Sequence, residues 1–171
     1  MAKPPASNQN GFPPARHDHA RCVARALEQA EGICAKRSAQ FTGLRRQVLG
    51  IIWNSHSPIG AYEILAALSS RERRPAPPTV YRALEFLQAH GLVHRIESKN
   101  AYIGCAHLET AQHAGQFLMC RACGQTAEAC DKDLSRAIQK LAEKSGFSLE
   151  EQTVELSGLC PACKSKNRHA A

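Results

Sequence analysis

Cys120-Arg121-Ala122-Cys123 and Cys160-Pro161-Ala162-Cys163 are the residues of this sequence whose types and spacing most directly suggest chemistry. In each pair the two-residue gap lets both sulfurs turn toward one tetrahedral ion, and the turn between them offers backbone N–H groups to the thiolates. Two pairs supply four sulfurs and leave no open coordination position, which describes a structural Cys₄ zinc site. The 36 residues between Cys123 and Cys160 exceed the gap of a compact zinc ribbon, and a helix and a strand fit inside them. Thioredoxin-like redox chemistry competes for the same motif, but it needs the pair after a strand and at a helix N-terminus. Cys160 lies near the end of the sequence, where no substantial helix is expected to follow, so zinc is the preferred reading.

A second group, His94, Cys105, His113 and Glu128, is spread over a presumed hairpin, a junction and the strands beyond it. Spacing alone does not gather these four: a lone histidine near a hairpin is more often structural, and Cys105 suits a core. His107 and Glu109 form an His-x-Glu, as in the zinc deaminases, but that signature needs Pro immediately before its Cys-x-x-Cys. Met119 and Leu159 stand there instead. A zinc-dependent hydrolase would need an open metal position and a proton-transfer partner. No such partner is evident, so no catalytic residues and no enzyme are expected. Cys22, Cys34, Cys130, His17 and His19 receive no role.

The elements that must position these residues read in two styles. Residues 1–15, rich in Pro, Asn, Ser and Gly, are expected to be a disordered tail. A helix is predicted from Asp18 to Arg37. A second follows the N-cap Thr42, with Leu44, Val48, Ile51 and Ile52 as its stripe. Pro58-Ile59-Gly60 punctuates the chain before a short third helix carrying Ala61, Ile64, Leu65 and Leu68. Thr79 is expected to cap a fourth helix with Val80, Leu84 and Leu87 inward, stopped by Gly91. Leu92–Ile96 and Ala101–Cys105, separated by Ser98-Lys99-Asn100, predict a hairpin. Helices followed by a hairpin describe a winged helix-turn-helix. Further on, Gln116–Met119 and Gln125–Glu128 predict strands around the first Cys pair. Asp133–Ser145 predicts a helix with Leu134, Ile138 and Leu141 on one face, and Phe147–Leu156 a strand. The expected class is therefore α+β: a winged-helix domain over residues 16–105, and a small α/β domain with the Cys₄ site over 106–171.

Charge follows the same division. The 171-residue chain carries a net +7. Residues 1–105 hold 14 Lys and Arg against 7 Asp and Glu, whereas residues 106–171 hold 8 of each. All the excess basicity thus falls on the presumed winged helix, which favours DNA over an anionic membrane surface as the partner. No apolar run is long enough to span a bilayer, and the first residues lack a secretory h-region, so a cytoplasmic protein with reduced cysteines is expected.

Pro77-Pro78-Thr79-Val80-Tyr81-Arg82-Ala83-Leu84, Leu92-Val93-His94-Arg95-Ile96-Glu97-Ser98 and the two Cys pairs together resemble the ferric uptake regulator family, and within it the zinc uptake regulator branch. The resemblance covers roughly residues 24–163. It implies a dimeric bacterial repressor with an N-terminal winged helix and a C-terminal dimerisation domain. It also implies two zinc ions per subunit: a structural one on Cys120, Cys123, Cys160 and Cys163, and a regulatory one on His94, Cys105, His113 and Glu128. A thiolate among those mixed donors suits zinc rather than ordinary ferrous iron. An iron or peroxide sensor of the same family is the sibling alternative. His107-Leu108-Glu109-Thr110-Ala111-Gln112-His113 lacks the His-rich run of iron-sensing members, and Gly43 stands where the family often has Pro.

For DNA, Arg82 lies one turn into the presumed recognition helix, away from its apolar stripe, where Arg fits guanine O6 and N7 bidentately in the major groove. The resemblance makes Tyr62 a DNA contact, and Thr79 and Tyr81 suit phosphate or backbone contacts. Arg45, Arg46, Arg73, Arg74 and Lys99 are candidates to neutralise phosphates. The expected target is a dyad-symmetric operator. The resemblance further implies that the regulatory ion fixes the dimer in the form that can bind it.

Overall fold

The computed structural model describes residues 11–12, 18–69, 75–108 and 115–168. His17, Arg73, Arg74, Glu109, His113 and all of the expected tail except Gly11 and Phe12 lie outside the described residues. The chain divides into two units, one of Arg16–Ala111 and one of Met1–Ala15 with Gln112–Ala171.

In the Arg16–Ala111 unit, helix α1 (His19–Lys36) starts where the Asp18 carboxylate accepts the Arg21 N–H at 3.1 Å. Helix α2 (Gly43–Trp53) starts where Thr42 Oγ1 accepts from Arg45 N. Both side chains satisfy an N–H that the first turn of a helix leaves without an internal partner. Strand β1 (Ile59–Gly60) leads into α3 (Ala61–Ser69), and the Glu63 carboxylate reaches back to the Gly60 N–H at 2.8 Å. The second half of a capping box therefore fixes the start of α3.

Helix α4 (Pro77–Ala89) begins earlier than its sequence suggests. Ala76 is the N-cap, without a side-chain bond, and Thr79 lies inside the first turn with its N–H on Ala76 O at 2.9 Å. Pro77 and Pro78 occupy the first two helical positions, where a missing N–H costs nothing and φ is already helical, so no capping hydroxyl is needed. Gly91, at φ +68°, ends α4 as expected: its N–H bonds to Gln88 O and that of Leu92 to Leu87 O. This paired arrangement satisfies two otherwise orphaned carbonyls.

Strands β2 (Val93–Ile96) and β3 (Ala101–Gly104) form the expected hairpin, turned by a 3₁₀ segment at Glu97–Lys99 and Asn100 at φ +47°. β1 adds to β3, giving the order β1-β3-β2. The core joins Val48, Leu49 and Ile52 of α2, Ile64 and Leu68 of α3, and Val80, Ala83, Leu84 and Leu87 of α4. Burying these faces together turns the other side of α4 outward.

In the second unit the order is β5-β4-β6, from β4 (Gly115–Cys120), β5 (Thr126–Ala129) and β6 (Thr153–Gly158). β5 runs antiparallel to β4 and β6 parallel, so the chain must cross over between β5 and β6. Helix α5 (Lys132–Lys144), capped by Asp131 through the Leu134 N–H at 2.8 Å, makes that crossing. Buried Gln116 clamps α5 to β4: its Nε2 donates to Asp131 O at 2.8 Å and Ser135 Oγ at 3.0 Å, while its Oε1 accepts the Asp131 N–H at 2.9 Å.

The strand expected over Phe147–Leu156 is shorter and starts later. Phe147 N–H bonds to Ala142 O behind Gly146, at φ +64°, so Phe147 belongs to the end of α5. An eight-residue helix, α6 (Pro161–Arg168), follows Cys160 directly. No helix among the described residues is long and apolar enough to cross a membrane.

Candidate metal centre and nucleic-acid interface

The Cys₄ site is built at one end of the β4–β6 pair. Cys120 ends β4, opposite Gly158 of β6 in the parallel register. The turn after Cys120 closes with Gly124 N–H on Cys120 O and Cys120 N–H on Gln125 O, both at 2.9 Å. Gly124 takes φ +75°, a conformation that suits a residue without Cβ. Cys160 and Cys163 enter from the β6–α6 junction. The four sulfurs lie within 4.8 Å of one another, and Cys123 Sγ and Cys160 Sγ are 3.8 Å apart. A tetrahedral zinc ion roughly 2.3 Å from each sulfur sets sulfur–sulfur edges of about 3.8 Å, so the cluster fits the ion. All four are free thiols.

The helix after Cys160 corrects one expectation. Cys160 does stand between a strand and a helix N-terminus, which is the local arrangement of a redox pair. The metal reading rests instead on the convergence of a second Cys pair on the same point. The acidities agree with a shared site. The Cys160 backbone N–H, followed by that of Cys123, pulls Cys120 down to about 6. Cys163 is pushed up to about 12, first by its hydrogen bond with the Cys160 side chain and then by that with Cys123. Crowding by its neighbours thus keeps the proton on Cys163 until a cation replaces it, while Cys120 is already disposed to be a thiolate.

His94 and Cys105 of the second ligand group belong to the Arg16–Ala111 unit, and the fold brings them together. His94 lies on β2 opposite Ile103, and Cys105 follows β3 with its N–H on Leu92 O at 3.1 Å. A ring nitrogen of half-buried His94 and the sulfur of buried Cys105 come within 4.8 Å. Glu128 belongs to the other unit and is buried on β5 opposite Phe117. Its carboxylate offers oxygen donors of the kind that zinc accepts. His113 lies outside the described residues.

Tyr62 on α3 is 76% exposed and Tyr81 on α4 is 41% exposed, whereas aromatic rings are ordinarily buried. Thr79 and Arg82 are exposed beside Tyr81, on the side of α4 away from its core face. Lys99 is exposed in the β2–β3 turn. Two arginines expected at phosphates are engaged within the protein. Arg45 lies 3.5 Å over the Phe86 ring and donates to Gln40 O, and Arg46 is ion-paired with Glu31.

One positioning residue went unread in the sequence. A Cβ on Gly104 would stand 2.4 Å from Trp53 Nε1, so the glycine lets the indole close against β3 immediately before Cys105. A glycine ending a strand beside a candidate ligand was the available signal.

Residues 36–157 match the model of the ferric uptake regulator family. A zinc uptake regulation protein of Escherichia coli (strain K12) is 39% identical over 137 residues, covering 80% of this chain and 80% of that protein. One of Mycobacterium tuberculosis (strain H37Rv) is 32% identical over 108 residues, 61% of this chain and 79% of that protein. A solved zinc uptake regulator complexed with zinc and DNA superposes with a TM-score of 0.81 at 37% identity, over 85% of this chain and 97% of that one. The crystal structure of holo XcZur gives 0.75 at 39% identity, over 81% and 96%. By the family match and these relatives, the chain belongs to the ferric uptake regulator family.

Proposed function

We propose that this chain is a zinc-responsive, DNA-binding repressor of zinc-uptake genes, acting as a cytoplasmic homodimer with two zinc ions per subunit. The observation that carries the reading is its likeness, over 85% of its length, to a zinc uptake regulator solved with zinc and DNA. The paired imidazole and thiolate of His94 and Cys105 favour zinc over iron within the family, because a soft sulfur donor suits it better. The relatives are regulation proteins, and the chain is read as a regulator rather than an enzyme.

In this reading the Cys₄ cluster is structural and the regulatory ligands are His94, Cys105, His113 and Glu128. That set draws on both units, with His94 and Cys105 from one and Glu128 from the other. Zinc, when bound, supplies a rigid tetrahedral link among these donors. The linked units hold α4 at a fixed angle to the dimer domain, and so set the distance between two copies of α4. In each copy Arg82 reads guanine while Tyr62, Thr79 and Tyr81 hold the backbone, in major grooves about one helical turn or a multiple of it apart. Moving a conformational equilibrium from 1:99 to 99:1 takes roughly 5.5 kcal/mol of differential binding, about half or less of the total of roughly 10–16 kcal/mol with which structural zinc-finger sites hold their ion. Support for the dimer comes from unit faces that leave Leu141, Phe147 and Leu156 half to two-thirds exposed.

Cys105→Ser tests the choice of metal. It is expected to abolish zinc-dependent DNA binding while zinc remains on the Cys₄ site. Unchanged metal-dependent binding by the variant would favour the iron or peroxide sensor of the same family.

A further inference from the structure

We propose that the segment at Gly11–Phe12 is a positioning element for Glu128, and through it sets the affinity of the regulatory zinc site. The inference rests on the reading above, in which Glu128 is a regulatory ligand. Among the described residues β5 is an edge of its sheet, with β4 as its hydrogen-bonded strand neighbour. An edge strand ordinarily presents a row of groups to solvent. Yet Thr126, Ala127 and Glu128 are 6%, 3% and 7% exposed.

Gly11 lies against this strand. A Cβ placed on it would stand 3.2 Å from Ala127 Cβ and 3.3 Å from the carbonyl oxygen of Glu128. Its φ is +73°, in the left-handed region that a residue with a Cβ rarely adopts. Glycine is thus favoured twice at this position, by backbone conformation and by room, and half-buried Phe12 follows it. The contact falls on the backbone of the residue whose carboxylate is the proposed ligand. Groups that orient a metal ligand from behind typically alter metal affinity by about 10- to 100-fold when removed.

The experiment uses the full chain and three substitutions. Gly11→Val offends both φ and packing. Gly11→Asn keeps the left-handed conformation within reach but adds a Cβ. Gly32→Ala is the control, because a Cβ there meets no atom of the other described residues within 4 Å. Two quantities are read: amide hydrogen exchange of residues 126–129, and zinc affinity of the weaker of the two sites by chelator competition. Gly11→Val is expected to speed exchange in β5 and weaken the second zinc about tenfold, with the Cys₄ ion retained. Gly11→Asn should lie between it and the parent, and Gly32→Ala should match the parent. Unchanged β5 exchange in Gly11→Val overturns the proposal, and so does faster exchange with an unmoved second affinity. If the parent itself binds DNA independently of zinc, the functional reading fails first, and that result is visible without any variant.

Discussion

The backbone N–H of Cys160 donates to the sulfur of Cys120 at 3.3 Å, across 40 positions of sequence. That bond joins the end of β4 to the start of α6, so the fold itself brings the two Cys pairs together. It also stabilises the thiolate form of Cys120, because an N–H aimed at the sulfur favours its charged state. Cys163 feels the opposite pressure from the sulfurs around it.

The contrast predicts a proton count. At pH 7.5 Cys120, pulled down to about 6, is already largely a thiolate, whereas Cys163, pushed up to about 12, still holds its proton. Zinc binding at this site should therefore release protons from Cys163 and from Cys123, whose thiol is likewise raised, and almost none from Cys120. Affinity should fall as pH drops, by about tenfold per unit for each proton displaced. Titration calorimetry of metal-free protein in two buffers of different ionisation enthalpy measures the release. Identical heats in both buffers would contradict it.

Gly104 and Trp53 predict a stability effect beside the second ligand group. Gly104→Ala drives a Cβ to 2.4 Å from Trp53 Nε1, a buried nitrogen with no hydrogen-bond partner among the described residues. Overpacking of this kind costs about 1–3 kcal/mol. Urea unfolding should show that loss, and a variant as stable as the parent would mean that the indole can move aside.

The basic residues should separate in DNA binding. Arg82→Ala is expected to cost about 1–3 kcal/mol and relax base preference at one operator position. Lys99→Ala should lower the salt slope of log Kd by about 1 with little change in sequence preference. Arg45→Ala should leave the salt slope alone and reduce stability instead, since its guanidinium is held over Phe86. Binding isotherms over a salt series, paired with thermal melts, distinguish the three.

How much of this was legible in sequence varies with the locality of the signal. Asp18, Thr42 and Gly91 mark helix ends because each satisfies backbone groups within a few residues. The two Cys pairs announce a metal site for the same reason. β1 is two residues long and exists only by pairing with β3, so no local pattern could show it. The capping role expected of Thr79 is lost because Pro77 and Pro78 already start α4. Phe147 looks strand-forming but is taken up by the end of α5 behind Gly146. His94 lies on β2 and Cys105 just beyond the end of β3, and the pairing of the two strands brings them together. That juxtaposition could be named only through resemblance to a family.

The central claim is that zinc governs DNA binding. A mobility-shift assay of the full chain on a dyad-symmetric promoter fragment, under a titrated free-zinc series, measures it directly. The predicted result is a retarded complex with two subunits per site, appearing over a narrow range of free zinc and lost on chelation. Equal binding at every free-zinc level, or none at any, would contradict it.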